Sequence, residues 1–202
     1  TQVRLAVDAM GGDHGATVTL PACRAFLDKH PQAELTLVGL AESIAPARDW
    51  PPTRLAPATE VVSMDDAVET ALRRKKDSSM RVAIAQLKDE AGEQRAHACV
   101  SAGNTGALMA MSKLALRTMP GIDRPALAAL LPTLGERDVV MLDLGANREC
   151  DARNLVQFAI MGSALVTAIN GTERPRVALL NIGSEEIKGN DTIREAAATL
   201  AA

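Results

Sequence analysis

The chain has 202 residues, of which 47% are apolar, and a formal net charge of −3, so it has enough apolar material for a sizeable core. Two Phe, one Trp and no Tyr leave few platforms for base stacking, and the acidic balance lacks the positive surface that phosphate backbones require. Both observations argue against a nucleic-acid partner.

The three cysteines, Cys23, Cys99 and Cys150, are far apart, which predicts neither a disulfide framework nor a CxxC metal site. The chain opens without a charged and then apolar leader and has no run of about 18 apolar residues, so we expect neither a signal sequence nor a membrane span. A cytoplasmic location is the resulting prediction. Because the chain starts at Thr1 without Met and ends in an alanine-rich helical pattern, we expect it to be the amino-terminal part of a longer polypeptide.

Strands and helices are predicted to alternate along the first half of the chain. The predicted strands cover residues 3–7, 34–38, 60–64 and 96–100, and the predicted helices cover 22–30, 67–76, 80–90 and 104–119. A short helix and an irregular connection are expected over 41–59. Asp65 and Asp66 are predicted to cap the helix over 67–76, and the run 77–79 to cap the next one.

In the second half, apolar runs at 126–131 and 138–144 are compatible with neighbouring strands, including an antiparallel pair. A long helix over 155–169, a final strand over 176–182 and a helix from about Thr192 follow. Continuous apolar strands that alternate with helices predict a mainly parallel sheet covered on both faces. We therefore expect an α/β fold, a three-layer α/β/α sandwich, as a single domain over 1–202.

Four loops combine glycine with polar residues directly after an apolar strand, namely 8–15, 101–106, 143–147 and 181–190. Loops that leave the carboxyl ends of parallel strands share one edge of the sheet, so a common polar cleft is predicted there. Glycine lets the backbone approach an anion, and the next helix offers unpaired N–H groups. The alternative is that the small residues only permit packing. The candidate phosphate-binding residues are Asp8, Gly11, Gly12, Ser101, Gly103, Asn104, Thr105 and Asn147.

Lys188 lies between Gly183 and Gly189, where a flexible ammonium could hold phosphate or neutralise charge that develops in a transition state. The alternative is a solvent-exposed lysine that balances Glu185 and Glu186. Asn190 and His14 complete the candidate catalytic set. His14 could serve as a general base or as a hydrogen-bond donor, or it could simply be exposed.

Several other site types are not indicated by the sequence. Asp8 and Asp13 lack a third carboxylate at suitable spacing, so no metal is predicted. Neither G-x-x-x-x-G-K-[ST] nor an intact G-x-G-x-x-G follows the first strand, which favours a small phosphate, or the phosphate of a carrier group, over ATP or NAD, and no cofactor is expected. No Ser-His-acid order or reactive cysteine motif indicates a covalent acyl-enzyme. The basic run 73–76 could attract an acidic partner or simply form a solvated helix end.

Six segments, in this order, resemble the PlsX family of bacterial phosphate acyltransferases. They are LAVDAMGGDHG at 5–15, ALRRKKDSSM at 71–80, CVSAGNTGALM at 99–109, PGIDRP at 120–125, DLGAN at 143–147 and LNIGSEEIKGN at 180–190. The resemblance covers nearly the whole chain, although members of the family are much longer.

The resemblance implies transfer of a long-chain acyl group from acyl carrier protein to inorganic phosphate, which gives acyl phosphate for phospholipid synthesis. It also implies a fold similar to the isocitrate and isopropylmalate dehydrogenases, a homodimer, and peripheral association with the inner face of the cell membrane. Arg73, Arg74, Lys75 and Lys76 are then expected to contact the acidic carrier protein. Two alternatives remain, a phosphotransacetylase-like enzyme that uses coenzyme A thioesters and a non-catalytic scaffold that binds a phosphorylated ligand.

Overall fold

The computed structural model describes residues 2–135, 138–183 and 188–202. The chain divides into two compact units, Thr1–Arg117 and Thr118–Ala202. The assignment of all residues to a single domain stays a prediction.

Unit 1 is built on a sheet that, in the described residues, has four strands: β1 (Arg4–Asp8), β2 (Glu34–Leu40), β3 (Thr53–Ala58) and β4 (Ala98–Ser101). Their order is β3-β2-β1-β4, and every neighbouring pair is parallel. The predicted mainly parallel sheet is therefore confirmed. All four strands end at the same edge of this sheet, which is where the predicted loops begin.

Helices pack on both faces of this sheet. The helices of unit 1 are α1 (Ala16–Lys29), α2 (Ala41–Ile44), α3 (Val68–Arg74), α4 (Ser79–Ala85) and α5 (Thr105–Leu116). Successive strand residues alternate between faces, so Val7 packs with Leu27 of α1, whereas its neighbour Ala6 packs with Ala83 of α4. This arrangement gives unit 1 the helix, sheet and helix layers that the continuous apolar strands predicted.

The third strand does not lie where the sequence indicated. It was predicted over 60–64, but β3 covers Thr53–Ala58, and Glu60 forms only an isolated bridge with Ser78. Pro57 made the observed segment a poor candidate, because proline cannot donate to a ladder. It is tolerated because β3 is an edge strand, in which Pro57 lies opposite Gly39.

The acidic cap predicted for α3 is wrong, and within the predicted cap 77–79 it is Ser78 that directly precedes α4. Ala67 is the residue that precedes α3, and the Asp66 carboxylate instead accepts hydrogen bonds from the Ser63 N–H, at 2.7 Å, and from the Lys75 ammonium. The bond from Lys75, followed by the bond from Ser63, holds the pKa of Asp66 below its ordinary value. Asp77 accepts from the Thr59 hydroxyl at 2.6 Å, and the Ser78 side chain makes no cap hydrogen bond to α4. Both acids bind loop residues because the tertiary fold brings those donors closer than the helix amides.

Unit 2 contains an antiparallel pair, β5 (Ala128–Leu131) and β6 (Val139–Leu142), with Leu130 opposite Val140. The predicted antiparallel pair is thus confirmed, as are two helices, α6 (Ala152–Asn170) and α7 (Asp191–Ala201). The strand predicted over 176–182 is not formed in this described stretch. Its β-branched pattern is not enough, because a strand exists only when its backbone groups pair with a neighbour.

The longest helix, α6, is well capped at both ends. Asp151 and Asn154 form a reciprocal capping box at its start, and Gly171 ends it in the left-handed region at φ 65°. By length and a mean hydropathy of 1.3, α6 could cross a membrane, whereas the sequence predicted no membrane span. Core helices pass the same test, and Gln157 is buried on Asp123, so this is weak support for a span.

Candidate functional site

Two of the four predicted loops meet at the carboxyl edge of the sheet in unit 1. Strands β1 and β4 are neighbours, and Asp8 lies in register with Ser101 at their ends. The Ser101 hydroxyl donates to Oδ2 of Asp8 at 2.8 Å. The structure therefore brings together loop 8–15 and loop 101–106, as predicted.

Two glycines lie where these loops meet. A Cβ atom at Gly11 would lie 2.8 Å from the Gly103 nitrogen and 2.9 Å from the Ser101 hydroxyl oxygen. A Cβ at Gly103 would lie 2.8 Å from the terminal methyl of Met80. The two distances at Gly11 are too short for a side chain, whereas the Met80 methyl ends a flexible side chain that can move. Gly11 therefore lets the two loop backbones approach each other, and the contacts of Gly11 and Gly103 with phosphate stay predictions. We call this contact of loops 8–15 and 101–106 the glycine junction.

Asp8 is buried at the glycine junction and accepts hydrogen bonds from both loops. Its side chain is 2% exposed, and its second oxygen accepts from the Met10 N–H at 3.2 Å. With both carboxylate oxygens engaged by the protein, Asp8 has the geometry of a residue that orders the loop. Its predicted contact with phosphate stays a prediction, and its negative charge would oppose that contact.

Asn104 has two structural roles that the sequence analysis did not predict. Its Oδ1 accepts from the Ala107 N–H at 3.0 Å and so caps α5. Its Nδ2 donates to the carbonyls of Met64, at 2.9 Å, and Asp66, at 3.0 Å. The second contact joins segments about 40 residues apart, and no local pattern in the sequence signals it.

The start of α5 still offers donors to a ligand. Asn104 takes the amide of Ala107, whereas helix geometry leaves the N–H groups of Thr105 and Gly106 without an intrahelical acceptor. Thr105 is exposed, so its hydroxyl lies at the same rim. These groups match the uncharged donors that the sequence placed at an anion site.

Loop 8–15 presents His14 to solvent. The His14 side chain is exposed, and its carbonyl accepts from the Thr17 hydroxyl at 2.6 Å. Gly12 has φ 87°, where other residues are strained. The loop is thus fixed at its backbone, and the roles of Gly12 and His14 toward a substrate stay predictions.

In unit 2, the Asp143 carboxylate holds loop 143–147 through hydrogen bonds. Asp143 accepts from the amides of Leu127 and Asn147, both at 2.7 Å, and from Nδ2 of Asn147 at 3.0 Å. Burial acts to raise the pKa of Asp143, but these hydrogen bonds and one from Ala146 outweigh it and lower the pKa. Nδ2 of Asn147 also donates to the Pro125 carbonyl at 2.9 Å. Asn147 therefore serves the loop itself, and its predicted contact with phosphate stays a prediction.

Lys188 and Asn190 lie beside the start of α7. Asn190 caps this helix by accepting from the Ile193 N–H at 2.9 Å, and Nδ2 of Asn181 donates to the Lys188 carbonyl at 3.1 Å. Lys188 is exposed. Residues 184–187, which include the predicted counter-charges Glu185 and Glu186, lie outside the described residues. That this loop and loop 143–147 share a rim with the glycine junction stays a prediction.

The basic run divides into different environments. Arg73 pairs with Glu69 at 3.1 Å on the surface of α3, and Arg74 and Lys76 are exposed. Lys75 is only 25% exposed, and its ammonium donates to Asp66 and to the Val61 carbonyl. Lys75 is thus engaged within the fold, which leaves three residues of the run to present charge to a partner.

The cysteines are poorly suited to nucleophilic chemistry. Burial raises the pKa of Cys23, and burial together with the charge of Asp8 raises the pKa of Cys99 to about 12. Burial and Asp143 raise the pKa of Cys150. A neutral thiol is a weak nucleophile. In the described part of the chain, no three His, Cys, Asp or Glu side chains cluster to hold a metal.

Comparison with known proteins identifies relatives along nearly the whole chain. A family model described as "Fatty acid synthesis protein" matches residues 3–202. A protein of Acidovorax sp. strain JS42 named phosphate acyltransferase is 57% identical over 198 residues, which cover 98% of this chain and 56% of that protein. The phosphate acyltransferase of Alcanivorax borkumensis is 55% identical over 204 residues, with 98% and 59% covered.

A phosphate acyltransferase of Herminiimonas arsenicoxydans is 52% identical over 206 residues, which cover 99% of this chain and 57% of that protein. The chain thus spans a little over half the length of these relatives. It belongs to the fatty acid synthesis protein family, and its resemblance to the PlsX phosphate acyltransferases is confirmed.

Proposed function

We propose that the complete protein transfers a long-chain acyl group from acyl carrier protein to inorganic phosphate and so forms the acyl phosphate used in phospholipid synthesis. The observation that carries the proposal is the glycine junction, which brings Ser101 and the start of α5 to one rim. The printed names of the relatives supply the reaction type.

The reaction needs no covalent intermediate on the protein. Hydrogen phosphate is already a nucleophile near neutral pH, so an oxygen of phosphate forms a bond to the thioester carbonyl carbon while the carbon–sulfur bond breaks. The proton of hydrogen phosphate ends on the departing thiol. Three cysteines with raised pKa values agree with such direct transfer. The protein mainly has to align the two reactants and offset their charge.

Uncharged hydrogen-bond donors would bind phosphate, and one cation would offset the developing charge. The N–H groups of Thr105 and Gly106 and the Thr105 hydroxyl would hold phosphate, since helix amino termini favour anions. Lys188 would neutralise charge that develops on the carbonyl oxygen. Asn190 and His14 complete the proposed set, and Asp8 would keep the glycine junction in shape.

The same proposal extends to partners and location. Arg73, Arg74 and Lys76 would attract the acidic carrier protein, with an affinity that falls as salt rises. A homodimer and peripheral association with the inner face of the membrane belong to the proposal through the family resemblance alone.

The test is replacement of Lys188 by Ala in the complete natural protein. We expect phosphate-dependent release of carrier thiol to fall about a hundredfold or more, as is typical when a charge-stabilising group is removed. Lys29→Ala, which removes an exposed lysine from the last turn of α1, is the matched control and should act like the wild type. Turnover of Lys188→Ala at the wild-type rate would exclude Lys188 from the reaction.

The identity of the preferred acyl donor distinguishes this proposal from its alternatives. Acyl carrier protein and coenzyme A thioesters of the same chain are compared side by side. Preference for coenzyme A would favour the phosphotransacetylase reading, and phosphate binding without any thiol release would favour the scaffold.

A further inference from the structure

An apolar cavity of about 270 Å³ opens beside the glycine junction. It lies in unit 1 between α1 and the strands β1 and β4. Its walls include Ala22 and Phe26 of α1, Leu5 and Val7 of β1, and Val100 of β4. The volume is near the lower end of the range of about 300–1,000 Å³ that is usual for small-molecule sites.

The lining of this cavity reaches the carboxyl edge of the sheet, because Asp8, Ser101 and Ala102 belong to it. Asp8 and Ser101 are the residues whose hydrogen bond holds the glycine junction. From Leu5 to Asp8 the strand advances about 10 Å, so the cavity runs from the junction back along the sheet. The apolar walls therefore end at the sheet edge from which the loops of the proposed phosphate site emerge.

The lining selects the kind of occupant. A phosphate, sugar or nucleotide would lose its hydrogen bonds with water against such walls and gain few in return. A hydrocarbon chain loses none. At roughly 30 Å³ for a group the size of a water molecule, the cavity has room for on the order of nine methylenes.

We propose that this cavity holds the first part of the hydrocarbon tail of the acyl donor, with the thioester carbonyl at the Asp8–Ser101 end. This inference rests on the proposed function, since it supplies the tail site for the same reaction. Each methylene that enters the cavity should raise kcat/KM about fourfold at most. The gain should stop once the cavity is full.

The first test fills the cavity from α1. Ala22→Phe adds a ring at a lining position that is itself exposed, and Ala25→Phe adds the same ring at an exposed position of α1 outside the lining. In the complete natural protein, kcat/KM is measured with butyryl and lauroyl donors. Ala22→Phe should lower the lauroyl value at least tenfold and keep the butyryl value within about twofold, since each excluded methylene loses its share of the gain. Ala25→Phe should change neither value.

Two results would overturn the inference. One is an equal loss in both alanine variants, and the other is a loss in Ala22→Phe that is the same for both donors. The wild type with the lauroyl donor tests the proposed function separately: no phosphate-dependent thiol release there would refute that function, whatever the tail site does.

A second pair of variants decides the matter if Ala22→Phe does not fold. Val100→Thr keeps the side-chain shape but adds a hydroxyl to the cavity wall, and Val139→Thr makes the same change in β6. The two valines are matched, with exposures of 51% and 53%. Val100→Thr should lower the ratio of lauroyl to butyryl activity about threefold or more, with no change for Val139→Thr. An unchanged ratio in Val100→Thr would overturn the inference.

Discussion

The glycine junction of unit 1 and loop 143–147 of unit 2 are both glycine-containing polar loops, but different interactions hold each loop in its conformation. In the junction, two backbones touch because Gly11 has no side chain, whose Cβ would lie 2.8 Å from the Gly103 nitrogen. In the other loop, the Asp143 carboxylate gathers amides of its own unit, and a Cβ at Gly145 would meet no atom within 4 Å. Glycine therefore signals close packing in one loop and backbone conformation in the other, although the two sequences look alike.

The largest effect is expected when a glycine in each of the two loops is replaced by alanine. Gly11→Ala should destabilise the protein by about 3 kcal/mol and abolish most activity, because its Cβ would overlap backbone that cannot move aside. Gly145→Ala, at φ 84° in open space, should cost only about 1–2 kcal/mol of conformational strain. Urea unfolding and phosphate-dependent thiol release measure both. Equal destabilisation by the two substitutions would show that the junction is less tightly packed than described.

The second prediction compares two asparagines that cap helices, one in each unit. Asn104→Asp keeps the cap on α5 but turns a carboxylate oxygen toward the carbonyls of Met64 and Asp66. It should cost about 2–3 kcal/mol, since two donated hydrogen bonds become repulsive contacts. Asn190→Asp keeps the cap on α7, and its free energy of unfolding should stay within about 0.5 kcal/mol of the wild type.

The same pair separates structure from substrate binding. If Asn190 contacts phosphate, Asn190→Asp should raise the KM for phosphate while stability is kept, because the new charge repels the anion. A normal KM would remove Asn190 from the proposed site. A stable Asn104→Asp variant would contradict the role of Asn104 in holding the segment at 63–66.

What the sequence predicted well is local. Strands β1, β2 and β4 are rich in apolar residues, and α5 follows directly after a glycine and an asparagine that end the strand segment, so short-range chemistry was sufficient for both. Strand β3 was displaced because its position depends on pairing with β2 and on its place at the edge. The local pattern favoured the β-branched residues that follow.

The candidate site shows the same limit. The sequence placed Ser101 and Gly11 in one site, and they are neighbours because parallel strands end together. It treated Asn104 and Asn147 as donors awaiting a ligand, whereas their amides bind carbonyls of residues about 40 and 22 positions away. The sequence shows which groups can bind an anion, but only the fold shows which of them already form hydrogen bonds within the protein.

The smallest expected effect is the pH dependence of the stability that Asp143 contributes. Because the folded state holds the pKa of Asp143 below its ordinary value, this carboxylate stabilises the fold at neutral pH. The contribution is lost as the pH falls from the ordinary carboxyl range through the lowered pKa, where the folded state must also take up a proton. Asp143→Asn should therefore cost about 1–2 kcal/mol at pH 7, from weakened hydrogen bonds.

That cost should shrink when urea unfolding is repeated at acid pH, because the wild type then loses the same charge. Asp13→Asn, in the exposed part of loop 8–15, is the matched control and should follow the wild type at every pH. A cost of Asp143→Asn that stays constant from neutral to acid pH would mean that shape, not the charge on the carboxylate, closes loop 143–147. The contrast with the close backbone packing at Gly11 would then disappear.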